Sequence, residues 1–102
     1  MDNQENIATE SYPCYIKVGD EEDDTEFMEL PTENDGSILL STIQAQFPSA
    51  IGLRFLSSSG SLRGVKISEN VIYPPFDGWN ERLYTTAVAK LGIHVFYLKL
   101  FS

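Results

Sequence analysis

The feature of this 102-residue sequence most able to carry chemistry is a run of acidic side chains. Nine carboxylates and no base lie within residues 20–35. Carboxylate oxygens are the ligands that calcium prefers, but a calcium loop arranges them around a central glycine and closes with a glutamate. Gly19 precedes the acids instead of dividing them. The pattern therefore favours a solvated acidic loop over a metal site.

Thiol and imidazole chemistry depends on one residue of each type, Cys14 and His94. One cysteine and one histidine cannot build a zinc site from those residues within one chain. Cys14 has no base nearer than Lys17, although a reactive thiolate needs an electropositive setting. His94 stands in an apolar stretch and is typical of an ordinary strand residue. Glycine motifs that bind phosphates or dinucleotides are missing. We therefore expect a protein that is not an enzyme and needs no metal or cofactor.

The charge is polarised along the sequence. The net charge is −8, yet Arg54, Arg63 and Lys66 form a basic segment without an acid. The overall acidity disfavours binding to nucleic acid and to anionic membranes. A lone cysteine gives no reason to expect secretion, so the composition fits the reducing cytosol or the nucleus. The most apolar stretch, residues 91–101, is about half the ~20 residues that span a bilayer, so we expect no membrane partner.

Four aromatic residues invite a nucleic-acid hypothesis: Phe55, Tyr73, Trp79 and Tyr84. Strand aromatics stack on bases in RNA-binding sheets. The basic-glycine-aromatic pattern of those sheets is missing, however, and only three bases lie near these residues in the sequence. The sequence therefore favours core positions for the four rings.

Three segments divide the chain. Residues 1–13 are a polar leader that lacks the features of a signal peptide. Residues 14–90 form the folded domain. Residues 91–102 are an apolar tail, which either adds an edge strand or is a loosely attached ending. We favour the second interpretation for the tail.

The apolar pattern predicts one helix among several strands. Residues 15–18 and 26–30 are expected to form a hairpin with a wide acidic turn. Asp35 or Ser37 caps a helix of two to three turns, whose apolar residues recur at helical spacing until Pro48 ends it. A second hairpin joins residues 53–56 to 62–67 through a serine-rich tip, and strands follow at 71–73 and 83–88. The expected fold is α+β, with one short helix on a mixed sheet, in the ubiquitin-like or β-grasp class.

Several blocks of the sequence carry a family resemblance. The longest is the run Asp-Gly-Ser-Ile-Leu-Leu-Ser-Thr-Ile-Gln-Ala-Gln-Phe-Pro at residues 35–48. Shorter blocks are Tyr15-Ile16-Lys17-Val18, Glu29-Leu30-Pro31, Gly52-Leu53-Arg54, Arg63-Gly64-Val65 and Gly78-Trp79. In this order they resemble the N-terminal domain of the TAR DNA-binding protein family, over about residues 15–90. The members of that family are nuclear RNA-binding proteins that regulate splicing.

The resemblance implies a ubiquitin-like fold, close to DIX domains, that polymerises head to tail through an acidic face and a basic face. The implied acidic face consists of Glu26, Glu29 and Glu33 with Gln46 beside them. The implied basic face consists of Arg63, Lys66 and a serine of the tip, which we assign to Ser59. Leu40 and Ile43 match helix positions that support the interface or the core.

The resemblance also implies a nuclear location and the chain itself as partner, while the residues alone fit the cytoplasm as well. Family members bind RNA or DNA through further domains, and neither these nor a nuclear import segment is visible in this sequence. Two other functions stay open at this point. One is weak binding of single-stranded nucleic acid by the domain itself, and the other is a ubiquitin-like adaptor for other proteins.

Overall fold

A computed structural model describes residues 11–20 and 23–89. Within these residues the chain forms eight strands and one helix. They are β1 (Tyr15–Asp20), β2 (Asp23–Pro31), β3 (Ile38–Leu39), α1 (Leu40–Gln44), β4 (Ala50–Leu56), β5 (Leu62–Gly64), β6 (Ile67–Ser68), β7 (Val71–Ile72) and β8 (Leu83–Val88). The interpretations of His94, of the 91–102 tail and of most of the leader fall outside the described residues.

Five strands form the main sheet, in the order β2-β1-β8-β4-β5. The last strand, β8, lies at the centre, parallel to β1 and antiparallel to β4. Its sequence suits that position because Tyr84 and Thr86 alternate with less buried neighbours and are both fully enclosed. The three short strands β3, β7 and β6 form a second sheet. The first and last parts of the domain are therefore joined at the middle of the main sheet.

The core lies on one face of the main sheet. Along β1, Ile16 and Val18 are buried while Tyr15, on the opposite face, is 66% exposed, as the period-two alternation of a strand requires. Ile43 of α1 and Ile72 of β7 complete the same buried cluster. The helix and the second sheet thus cover one face of the main sheet.

Trp79 ties the core to the loop that follows β2. Its indole N–H donates to the carbonyl of Gly36 at 2.8 Å, and its own carbonyl accepts the hydroxyl of Tyr84 at 2.7 Å. Gly36 has φ +91°, and a Cβ there would meet the ring of Tyr12 at 2.6 Å. Tyr12 also packs against the core. The division of the chain at residues 13 and 90 stays a prediction. Tyr12, which this division assigns to the leader, contacts the core.

The predicted helix is shorter than expected, and its predicted cap is wrong. The Asp35 carboxylate accepts the N–H and hydroxyl of Ser37 at 3.0 and 2.7 Å, closing a turn that leads into β3 and not into a helix. The helix begins only at Leu40, whose N–H donates to the carbonyl of Asn70 at 2.9 Å. Pairing of β3 with β7 therefore takes the first apolar residues that the periodicity assigned to the helix.

Both predicted hairpins exist, with different limits. The first is longer, since β1 reaches Asp20 and β2 starts at Asp23, so the wide acidic turn was wrong. In the second, β4 pairs with β5 only as far as Gly64, and Ile67 pairs with β7 in the other sheet. The α+β class and the mixed sheet with one short helix are confirmed within the described residues. The ubiquitin-like assignment stays a prediction.

Candidate functional site

The edge strand β2 carries two of the predicted acidic residues. Glu26 and Glu29 are both exposed. Met28 pairs with Val18 and therefore shares the face of the core. Glu29 pairs with Lys17 and points to the opposite face. Glu33, in the loop after β2, is also exposed. We refer to Glu26, Glu29 and Glu33 as the acidic edge.

The other edge strand, β5, carries the predicted basic residues. Arg63 is exposed at the middle of β5, and Ser59 lies at the tip that joins β4 to β5, where its hydroxyl is 2.9 Å from that of Ser57. Lys66 follows β5, with its Nζ 5.7 Å from the ring centroid of Tyr73. Ser59, Arg63 and Lys66 thus lie along consecutive segments of the chain, the tip, β5 and the residues after it, which we call the basic edge.

The acidic and basic edges stand at opposite ends of one sheet. Four strand spacings separate β2 from β5, which is roughly 19 Å at ~4.8 Å per spacing. Exposed charges that far apart are largely screened at physiological salt, where the Debye length is ~8 Å. The two edges therefore do not neutralise each other within one molecule.

Two further bases lie inside the sheet. Lys17 is on β1, beside the acidic edge, where it makes an ion pair with Glu81 at 3.6 Å. Arg54 is on β4, opposite Gly64 of the basic edge. Lys17 reduces the charge contrast near the acidic edge, which the sequence pattern alone did not reveal. Because Phe55 shares its face with Arg63, Arg54 lies on the other face of the sheet from Arg63.

The loop between β7 and β8 supports the basic edge. Arg82 donates to the carboxylate of Asp77 at 2.6 and 3.3 Å, and its guanidinium carbon lies 4.3 Å from the ring centroid of Phe55. Phe55 pairs directly with Arg63 across β4 and β5. Hydrogen bonding from Arg82 lowers the pKa of Asp77 below its ordinary value and raises the pKa of Arg82 in return. The charged pair thus packs on Phe55 of β4, the cross-strand partner of Arg63.

Comparison with known proteins identifies the family. The family model described as TAR DNA-binding protein 43, N-terminal domain, matches residues 15–88. The chain belongs to this family. It is also similar to Tar DNA-binding protein homolog 1 of Caenorhabditis elegans, with 38% identity over 80 residues that cover 76% of this chain. The chain spans 19% of the length of that relative. The resemblance predicted from the sequence is confirmed.

For this member of the TAR DNA-binding protein 43 N-terminal domain family, the predicted helix residues separate by burial. Ile43 is completely enclosed in the core. Leu40 is half-buried and packs against that core. Gln46 lies exposed, two residues past the end of α1, and α1 contacts β2. Ile43 therefore has a core position, and only Leu40 and Gln46 present surface to a partner.

The four aromatic residues also differ in burial. Trp79 and Tyr84 are fully enclosed and Phe55 is 7% exposed, while Tyr73 is 38% exposed beside Lys66. The core positions predicted for the first three are confirmed, and the one for Tyr73 is wrong, because β7 ends at Ile72 and leaves the next ring outside the second sheet. Three of the four rings are therefore out of reach of a nucleic-acid base.

A metal site or a membrane-spanning helix would be a further functional feature in the described part of this TAR DNA-binding protein 43 N-terminal domain. Among residues 11–20 and 23–89, no group of three or more histidine, cysteine, aspartate or glutamate side chains is arranged to hold a metal ion. Over the same residues, no helix has the length and apolar character needed to cross a bilayer.

Proposed function

We propose that this chain is a non-catalytic self-association domain whose copies join head to tail, with the acidic edge of one copy against the basic edge of the next. The observation that carries the proposal is the position of the two edges at opposite ends of the β2-β1-β8-β4-β5 sheet. A contact between two different surfaces of the same molecule does not close on itself unless a rotation makes a ring. The expected product is therefore an open chain of copies.

Charge complementarity supplies direction and specificity in such a contact. A copy that approaches with the same edge forward sets like charges face to face, which costs several kcal/mol, whereas opposite edges attract. An exposed ion pair alone contributes about 0–1 kcal/mol. Glu29 and Arg63 must therefore act together with their neighbours, and partly shielded from water, to hold copies together.

The family suggests the setting in which such chains work. The name of the worm relative, Tar DNA-binding protein homolog 1, describes a DNA-binding protein. We propose that this domain assembles a nucleic-acid-binding protein in the nucleus, while other parts of that protein contact RNA or DNA. The burial of Phe55, Trp79 and Tyr84 supports this division of labour, since these rings cannot stack on bases. The central parallel pair of β1 and β8, with the helix on one face, supports the finer proposal of a ubiquitin-like fold.

Sedimentation velocity over a wide concentration range tests the proposal. We expect the mean sedimentation coefficient to rise continuously with concentration at low salt, and to fall when salt is added, because screening weakens the ion pairs. A fixed dimer would contradict the head-to-tail geometry. A monomer at every concentration and salt would contradict self-association itself.

A further inference from the structure

Phe76 is the most exposed large apolar side chain among the described residues. Its relative accessibility is 111%, so its ring makes no packing contact that hides it from water. Single exposed apolar residues are common on protein surfaces and need no explanation by themselves. What distinguishes Phe76 is the backbone that presents it and the charged surface beside it.

The backbone around Phe76 is held from both sides. Pro74 and Pro75 precede it, and the N–H of Gly78 closes a turn on the carbonyl of Pro75 at 2.9 Å. On the other side, Asp77 is clamped by Arg82, and the Asn80 amide donates to the carbonyl of Asp77 at 2.8 Å. A ring presented by a preorganised loop loses little conformational freedom when a partner covers it, which is the property of an interface anchor.

The loop places Phe76 next to the basic edge. Arg82 holds Asp77 and stacks on the Phe55 ring, and Phe55 is the cross-strand partner of Arg63. Directly opposed residues in an antiparallel pair have Cβ atoms about 5 Å apart on the same face. Arg63, Arg82 and the residue next to Phe76 therefore lie together on the core-side face of the sheet at its β5 end.

The acidic edge offers an apolar residue on the same side. Met28 lies on the core-side face of β2, where it pairs with Val18, and it remains 39% exposed on what is an edge strand among the described residues. Glu26, two residues earlier, is exposed and lies where the pairing of β2 with β1 shifts register, between Phe27 and Asp23. Sulfur–aromatic contacts are favourable, and methionine adapts its shape to an incoming ring.

We propose that Phe76 is the apolar anchor of the head-to-tail contact, and that it packs on Met28 of the next copy while Arg63 meets Glu26 beside it. This inference rests on the proposed function and names the apolar part of that same contact. Aromatic and arginine side chains dominate the binding energy of most interfaces, with polar residues around them excluding water. The basic edge combines both residue types, and the acidic edge supplies the complement.

The test compares Phe76→Ala with Ile51→Ala in the full chain by sedimentation velocity. Ile51 is 50% exposed near the start of β4, at the end of that strand away from its pairing with β5. We expect Phe76→Ala to weaken association by about tenfold or more, because the burial of an aromatic ring is lost, and Ile51→Ala to leave it unchanged. Equal effects of the two variants, or none from Phe76→Ala, would overturn the inference.

Salt and a double-mutant cycle separate this inference from the proposed function. At high salt the charge contribution is screened, so the fold-change caused by Phe76→Ala should persist in whatever association remains. Met28→Ala should weaken association too, and the double variant should weaken it by less than the product of the two single effects. If Arg63→Glu abolishes association but Phe76→Ala does not alter it, the head-to-tail proposal stands and the anchor is refuted. If the wild-type chain stays monomeric, the proposed function itself fails.

Discussion

The two edges of the main sheet carry their charges in different ways. At the acidic edge, Glu26 and Glu29 belong to a nine-residue strand that is paired with β1 along most of its length. At the basic edge, Arg63 belongs to a three-residue strand, and Ser59 and Lys66 lie in the segments on either side of it. Glu29, which pairs with Lys17, is therefore positioned by the sheet itself. The basic side chains depend on the loops around a short strand.

This difference bears on how each edge strand is protected from pairing with strands of other molecules. A long exposed edge strand invites pairing with other strands, and charged side chains along it are a common protection. Glu26 and Glu29 provide that protection on β2. The edge strand β5 is short enough to need little protection, but it needs support, which Arg82 gives through Phe55. Changes at the two ends should therefore have different consequences.

The largest effect is expected from substitution of Trp79, the residue on which both ends of the main sheet depend. Trp79 bonds Gly36, just beyond the acidic edge, and packs on Tyr84 of the central strand with ring centroids 5.2 Å apart. Trp79→Ala should lower the free energy of unfolding by about 3–5 kcal/mol, as large-to-small core changes do. Urea denaturation followed by circular dichroism measures this.

Phe76→Ala is the matched control for stability, since it truncates an exposed ring three residues away. It should change the free energy of unfolding by no more than about 0.5 kcal/mol. A loss below about 1 kcal/mol for Trp79→Ala would show that the two ends of the sheet do not share this support.

The family, the α+β class and most of the strands were predictable from the sequence because they depend on local signals. Alternation in β1 and β8 and the run at residues 35–48 carry that information along the chain. The separation of acids from bases in the sequence also anticipated two charged surfaces. Their position at opposite ends of one sheet depends on the central placement of β8, which joins parts of the chain that are far apart in sequence.

The errors also have physical causes. Leu39 fits a helical period, but β3 takes it by pairing with Val71, so tertiary pairing overrides local preference. Arg82 gave no sequence signal because its role depends on Phe55 and Asp77, which the fold brings to it from different elements. Phe76 stands among two prolines and an Asp-Gly pair, and an aromatic residue inside such a turn was the signal that could have identified it.

Charge reversal at the two edges should have the next largest effect. Glu29→Lys and Arg63→Glu each set like charges face to face in the head-to-tail contact, at a cost of several kcal/mol, so each variant alone should be monomeric. In a mixture of the two, the Arg63→Glu variant keeps an intact acidic edge and the Glu29→Lys variant keeps an intact basic edge. Sedimentation velocity should therefore detect heterodimers in the mixture and no long chains.

Glu69→Lys is the matched control for charge, because it makes the same change on an exposed turn between β6 and β7, in the second sheet and outside the main sheet that carries both edges. It should associate like the wild type. Long chains in the mixture of the two edge variants would indicate that the two substituted side chains form an ion pair of reversed polarity, which would show that positions 29 and 63 touch directly. Unaltered association of either single variant would show that its edge is not the contact.

The smallest effect is expected for the Asp77–Arg82 pair beneath the basic edge, whose contribution to the free energy of unfolding depends on pH. Hydrogen bonds from Arg82 lower the pKa of Asp77 below its value of 3.8 in an unfolded chain. A carboxyl group whose pKa is lowered on folding stabilises the fold above its unfolded pKa, and this contribution disappears as the pH falls through the folded pKa. Asp77→Asn should therefore destabilise the domain at pH 7 and have no effect once the pH lies below the lowered folded pKa of Asp77, where its carboxyl group is protonated.

Because Asp77 and Arg82 form an exposed pair, we expect a loss of only about 0.2–1 kcal/mol at pH 7. Urea denaturation of both proteins at several pH values measures it. Asp35→Asn is the comparison at the other end of the sheet: hydrogen bonds from Ser37 lower the pKa of Asp35 too, but an asparagine oxygen can still accept them. The smaller loss should therefore occur at Asp35. An equal or larger loss there would contradict the view that only the basic edge depends on a charged pair for its support.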